Sequence, residues 1–314
     1  MASADWSNKT TIEFILLGFG NLPELQVLLF FLFLGIYIVT MVGNMLIIML
    51  VVTDQHLHTP MYFFLGNLSC LETCYTSTIL PRMLTSLLTG DRSISFRACI
   101  VQFYIFGVLV TTECFLLSAM SYDRYLAICK PLHYGVRMNS RFCVLLVAGS
   151  WINGFLAITM TTSLMSQLPF CGIGNIDHFF CDFAPMVKLS CSDTQVLITI
   201  IAAIFTLPPF TLTLTSYVCI ISTILRIASA TGKHKAFSTC SSHLIMVTIF
   251  YGTLIIMYLL PKTPTLKDLN KVFSLSYTIL TPLANPFIYS LRNKEVKKAL
   301  RKIVSKWLDF MRIQ

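Results

Sequence analysis

Seven apolar runs, each long enough to cross about 30 Å of hydrocarbon, constrain this chain more than any other feature of its sequence. Hydropathy punctuated by Pro and Gly places them at Leu25–Val52, Pro60–Leu88, Ala98–Ile128, Phe142–Thr162, Val196–Ala228, Ala236–Leu260 and Val272–Leu291. Inside a bilayer every backbone N–H and C=O must be satisfied within the protein, so runs of this length become helices. Only 12% of residues are charged, against about 25% in a soluble domain. The expected fold is an all-α membrane protein, a seven-transmembrane helix bundle. Glu113 interrupts the third run. The formal net charge of +9 could suit nucleic acid, but the bases flank apolar runs and form a tail, so membrane lipid is the expected partner and nucleic acid is not.

Charge also sets the expected orientation. With the amino terminus outside, the inner loops and tail hold about twice as many Lys and Arg as the outer loops. The chain then divides into an extracellular amino terminus (1–24), a bundle (25–291) with a second outer loop over 163–195, and a cytoplasmic tail (292–314). Asn8, in Asn8-Lys9-Thr10, becomes a glycosylation acceptor on the outer side. Residues 1–24 lack the basic start and apolar core of a cleavable signal, so the first run is expected to direct insertion. In the tail, Val296, Leu300, Ile303, Trp307, Leu308 and Met311 share one face of a helix whose other face is basic. This short amphipathic helix should lie along an anionic membrane surface. No H-E-x-x-H and no G-x-x-x-x-G-K is present, so no enzyme and no catalytic residue is expected. A channel or transporter should show repeats or charged broken helices. The two intramembrane acids are thin support for that.

Those acids are Glu72 and Glu113. Glu72 lies twelve residues past Pro60, about 18 Å along a helix. Glu113 lies eleven residues before Arg124, about 16 Å from that end. A carboxylate at a helix centre costs about 2.5–3.5 kcal/mol on insertion scales, and a pair at one depth should share a proton or a cation.

"MSYDRYLAICKPLHY" (Met120–Tyr134) resembles the signature of vertebrate odorant receptors, tetrapod-type class, within the rhodopsin-like G-protein-coupled receptors. Gly43-Asn44, "LHTPMYFFLGNLS" (Leu57–Ser69), Ser216-Tyr217, "KAFSTCSSHL" (Lys235–Leu244) and "PLANPFIYSLRN" (Pro282–Asn293) resemble the same family in the same order. "HFFCD" (His178–Asp182) followed by "KLSCSD" is similar to the tetrapod-type class. Glu72 stands where the family more often has Asp.

The resemblance implies an odorant receptor that binds a small volatile ligand. It implies coupling to a stimulatory olfactory-type heterotrimeric G protein that raises cyclic AMP, and placement in the plasma membrane, with olfactory cilia as the expected site. Asp123 and Arg124, followed by Tyr125, would form a resting latch, with Tyr217 and Tyr289 receiving Arg124 on activation. Of eleven cysteines, four (Cys99, Cys171, Cys181, Cys191) fall outside, which allows three pairings. The resemblance selects Cys99–Cys181 and Cys171–Cys191. His178, Cys181 and Asp182 also read as metal ligands, but a disulfide would remove the thiolate.

Helical spacing, at the depth where such receptors bind ligand, points to Phe106, Gly107, Val110, Thr111 and Cys114 on the third run. Ile198, Ala202 and Phe205 come from the fifth, Tyr251, Leu254, Ile255 and Tyr258 from the sixth, and Leu275 and Thr278 from the seventh. The set carries no charge, so the expected ligand is small, neutral and largely apolar. No resident cofactor is expected. At the Glu72 and Glu113 belt two readings stand side by side: a sodium ion favouring the resting state, or a hydrogen-bond network with one protonated acid.

Overall fold

The computed structural model describes residues 13–19, 23–168, 174–189, 195–258, 271–292, 295–301 and 305. Among these, six long helices form the bundle: α1 (Pro23–Thr53), α2 (Pro60–Thr89), α3 (Phe96–Cys129), α5 (Ser140–Ser166), α7 (Gln195–Arg226) and α8 (Ala230–Tyr258). Two short helices, α4 (Pro131–Arg137) and α6 (Phe183–Lys188), precede α5 and α7 respectively. A seventh segment begins at residues 271–275, passes through a π-helical turn at Ser276–Leu280 and ends as α9 (Thr281–Arg292).

Local chemistry fixes the boundaries. Ser95 and Asn139 cap α3 and α5 by accepting from the N–H groups of Ala98 and Phe142 at 3.3 and 2.9 Å. Pro60 opens α2, where its missing N–H is harmless. Gly90 closes α2 at φ 73°, in the left-handed region that favours glycine.

Leu25–Thr53, Phe96–Cys129, Ser140–Ser166 and Ala203–Arg226 are each long and apolar enough to cross a membrane. Ala230–Ser238 and Cys240–Ile256 together make a fifth such span, bent by 47°. Helix α2 is less apolar because its inner face is polar: Ser69, Glu72, Thr73 and Thr76 are all buried. A span shielded by its neighbours can carry such residues. Helix α3 is the axis of the bundle. It packs against α2, α5, α7 and α8, and Thr112, Glu113, Ser118, Ser121 and Asp123 are buried along it. On α1, by contrast, Val27, Leu28 and Phe31 point outward, each at least 60% exposed, as a lipid-facing stripe requires.

One end of the bundle carries a three-stranded sheet that the all-α expectation did not include. β1 (Glu13–Leu16) lies between β2 (Ser93–Ser95) and β3 (Asn175–Ile176), antiparallel to the first and parallel to the second. Phe14 and Leu16 face inward while Glu13 and Ile15 are exposed, the period of two that a half-covered strand demands. Beneath the sheet lie Phe103, Met165, Ile176 and the Cys99–Cys181 disulfide. Gly18, at φ 58°, then turns the chain toward α1 and donates its N–H to the His178 carbonyl at 3.2 Å. At the opposite end, residues 295–301 are helical and bury Val296 and Ala299. Leu300 of the expected tail face is half-buried against the core; Ile303, Trp307, Leu308 and Met311 lie outside the described residues.

Candidate functional site

The sheet end is closed by aromatic rings. Phe19 stacks on Phe179 at 5.4 Å, Phe179 meets Phe180 at 5.0 Å, and Phe180 meets Phe106 of α3 at 5.0 Å. Phe106 also touches Tyr75 and Tyr277, each at 6.0 Å. The loop bearing these rings is tied to α3 twice. Cys181 is bonded to Cys99, and its backbone N–H donates to Gln102 Oε1 at 3.1 Å. His178 lies between Phe179 and Phe180, with Nε2 2.9 Å from the Ser274 hydroxyl. Burial, with the Lys271 charge nearby, pushes its imidazole down to about 3, against an opposing pull from Asp177. Lys271 Nζ reaches Asp177 at 2.5 Å and the Gly18 carbonyl at 3.0 Å, joining the seventh segment to the loop and to β1. His178, Cys181 and Asp182 do not converge as metal ligands. Cys181 is in a disulfide, His178 meets Ser274, and Asp182 accepts from the Phe183 N–H at 2.8 Å. Cys171 and Cys191, and Asn8, lie outside the described residues.

Deeper in the bundle the expected ligand set divides. Phe106, Thr111, Cys114, Tyr251 and Thr278 are buried, and Val110, Phe205, Leu254, Ile255 and Leu275 are half-buried. Tyr251 packs on Phe210 at 5.3 Å and donates its hydroxyl to the Cys114 carbonyl at 2.9 Å, bracing α8 against α3. The Thr278 hydroxyl is turned onto the Ser274 carbonyl at 2.6 Å, beside the π-helical turn. Gly107 faces α5: a Cβ there would stand 3.0 Å from Ile158 Cδ1, so its lack of a side chain serves the α3–α5 contact. The side chains of Ile198, Ala202, Tyr258 and Tyr289 lie outside the described set.

Below this level Glu72 and Glu113 are fully buried. Asn285 of α9 donates to Glu72 Oε1. Asn44 of α1 donates to the Thr40 and Pro282 carbonyls, both at 3.1 Å. The close approach of α1 to α9 needs Gly43, where a Cβ would come within 2.9 Å of Pro286. Glu72 Oε2, both Glu113 carboxylate oxygens, Asn44 Oδ1, Asn285 Oδ1 and the Ser118 hydroxyl are buried without hydrogen-bond partners among the described residues. Two carboxylates with neutral amide and hydroxyl oxygens are the donors a hard cation takes.

At the far end Arg124 Nε donates to Asp123 Oδ2 at 2.9 Å, and its Nη2 donates to the same oxygen. The other oxygen, Oδ1, accepts the Tyr134 hydroxyl from α4 at 2.9 Å. Tyr125 is half-buried and stacks with Tyr122 at 6.2 Å. The Tyr217 hydroxyl lies 2.5 Å from His243 Nδ1 on α8. Residue reasoning missed Tyr134 and His243 as partners, although each lies in a motif quoted above. Their roles depend on which helices meet, which spacing alone does not show.

The architecture matches squid rhodopsin with a TM-score of 0.67 at 17% identity, covering 92% of this chain and 87% of that one. That likeness establishes the fold. A family model described as olfactory receptor matches residues 33–307. Human olfactory receptor 11A1 is 51% identical over 95% of both chains. Human olfactory receptor 10A7 is also 51% identical, over 95% of this chain and 96% of its own, and mouse olfactory receptor 5AP2 is 48% identical over 96% of each. With identity near one half over almost the whole of each chain, the chain belongs to the olfactory receptor family, as a membrane-embedded odorant receptor and not an enzyme.

Proposed function

We propose that this receptor binds small, neutral, largely apolar volatiles among the helices beneath Phe106 and Phe180, and activates a stimulatory olfactory-type G protein that raises cyclic AMP. The observation that carries the reading is the Tyr251–Cys114 brace. It joins the helix bearing Phe106 to the helix bearing His243, so a ligand that displaces the Tyr251 ring acts on both. Burial of few atoms gives modest affinity, held by shape, dispersion and a hydrogen bond.

In the resting state Asp123 holds Arg124, with Tyr134 as a second anchor. Activation swings α8 outward, breaks the Tyr217–His243 contact and frees Arg124 for the G protein, with Tyr217 and Tyr289 receiving it. In this reading the sheet end is extracellular, the receptor sits in the plasma membrane of olfactory cilia, Asn8 carries glycan, and Cys171–Cys191 forms a second disulfide. Glu72 and Glu113 would hold a sodium ion, whose charge supplies electrostatic cross-linking of the resting bundle; the unpaired oxygens around them support this.

The test is cyclic AMP in cells expressing the receptor at matched surface density, challenged with a broad volatile panel, beside Arg124→Ala and Tyr251→Phe. Responses lost in Arg124→Ala and right-shifted in Tyr251→Phe are expected. An equal response in all three would overturn the mechanism. For the ion, dose–response curves at varied sodium should shift in wild type and not in Glu113→Gln; sodium-independent curves in both would remove it.

A further inference from the structure

Phe106 and Glu113 lie seven residues apart on α3, two turns along one helix face and about 10 Å along its axis. One residue of the neighbouring helix spans the two levels. Tyr75 of α2 sets its ring edge-on to Phe106, with centroids 6.0 Å apart, and turns its hydroxyl to the Glu113 carboxyl. It is fully buried. It also stands three residues past Glu72, on the same face of α2.

The contact at Glu113 is unfinished. The Tyr75 hydroxyl and both Glu113 oxygens are buried, yet no hydrogen bond of good geometry closes between them. Buried polar groups left short of partners cost free energy. The arrangement therefore gains when the hydroxyl moves to donate to the carboxylate, or to lend its oxygen to a cation between the two acids. At its other end the ring does not move alone. Phe106 is wedged against Phe180 of the lid loop at 5.0 Å and against Tyr277 of the seventh segment at 6.0 Å, and in a close-packed interior a displaced ring shifts its neighbours. A single rigid phenol thus joins the aromatic cluster to the acid pair.

We propose that Tyr75 is a positioning residue that couples the aromatic cluster around Phe106 to cation binding at Glu72 and Glu113. The inference rests on the reading of that pair as a sodium site, and names what regulates it. A ligand that displaces Phe106 carries Tyr75 with it and changes the place of the hydroxyl at Glu113. By linkage, sodium then changes ligand affinity by the same factor.

The test is the thermal midpoint of the purified full chain in phosphatidylcholine nanodiscs, titrated with sodium chloride against choline chloride at constant ionic strength. It needs neither ligand nor G protein, because Phe106→Leu stands in for displacement of the ring. Sodium should raise the wild-type midpoint, and Glu113→Gln should remove that rise. Tyr75→Phe keeps the ring and loses only the hydroxyl. It and Phe106→Leu should each raise the sodium concentration for half effect about fivefold. In the double variant the two shifts should not multiply, since Phe106→Leu has nothing to act through once the hydroxyl is gone. A merely structural role would lower the midpoint equally at every sodium concentration. An unmoved sodium titration in Tyr75→Phe, or shifts that multiply in the double variant, would overturn the coupling and leave the sodium site standing. A wild type indifferent to sodium would overturn the site, and this inference with it.

Discussion

Asp123 is held from two directions, by Arg124 on one oxygen and by Tyr134 on the other. A hydrogen bond to a charged group is worth about 1.5–3 kcal/mol. Under the proposed mechanism Tyr134→Phe should therefore weaken the Asp123–Arg124 hold and raise basal cyclic AMP, by about tenfold or more in the resting-to-active ratio. Partial burial and the Asp123 charge push the Tyr134 phenol above its ordinary value, so it remains a donor throughout the physiological range. Basal signal equal to wild type at matched surface density would assign Tyr134 to packing alone. His178 gives a pH prediction. Its imidazole falls from 6.5 to about 3 on folding, so between those values the unfolded chain binds a proton that the folded lid refuses. Stability falls as pH drops through that window. The thermal midpoint should decline from pH 7 toward pH 5 in wild type and decline less in His178→Gln; parallel curves would exclude this residue. "HFFCD" marked His178 in the sequence as a candidate metal ligand, whereas its partner, Ser274, is distant in the chain and became visible only once the seventh segment was placed.

At the scale of elements, α1 and α9 meet where Gly43 faces Pro286. Gly43→Val should overpack that contact at a cost of about 1–3 kcal/mol, read as a lower thermal midpoint and reduced surface staining. Normal values for both would mean that the helices can separate without penalty. The sheet is held from the side by Lys271, through Asp177 and the Gly18 carbonyl. Lys271→Met removes a partly exposed ion pair worth about 0.2–1 kcal/mol, so amide exchange at Ile15 and Leu16 should quicken up to about fivefold; unchanged exchange would show that strand pairing suffices. Six of the seven expected spans recur as long helices because runs of over twenty apolar residues admit little else in lipid. The sheet was not legible. A four-residue strand such as Glu13–Leu16 carries almost no periodic signal, and its partners lie on two loops far along the chain.

For the whole molecule, the Cys99–Cys181 bridge joins residues 82 apart and fastens the lid to the central helix. Cys99→Ser should cost about 2–5 kcal/mol and abolish surface expression; a variant that traffics and signals normally would make the bridge dispensable. The sequence by itself determined a helical membrane bundle, the family, the adjacent Asp123 and Arg124 and the two buried acids. Each of these is a local matter of hydrophobic length, charge position or contiguous motif, and each survives without knowledge of neighbours. Tertiary structure decided what those residues touch. It set Tyr134 against Asp123, Tyr217 against His243, Gly107 against Ile158, and Phe19 against Phe179. The physical reason is that a helical period fixes which residues share a face but not which neighbour that face meets; close packing between helices and loops distant in the chain settles the partner.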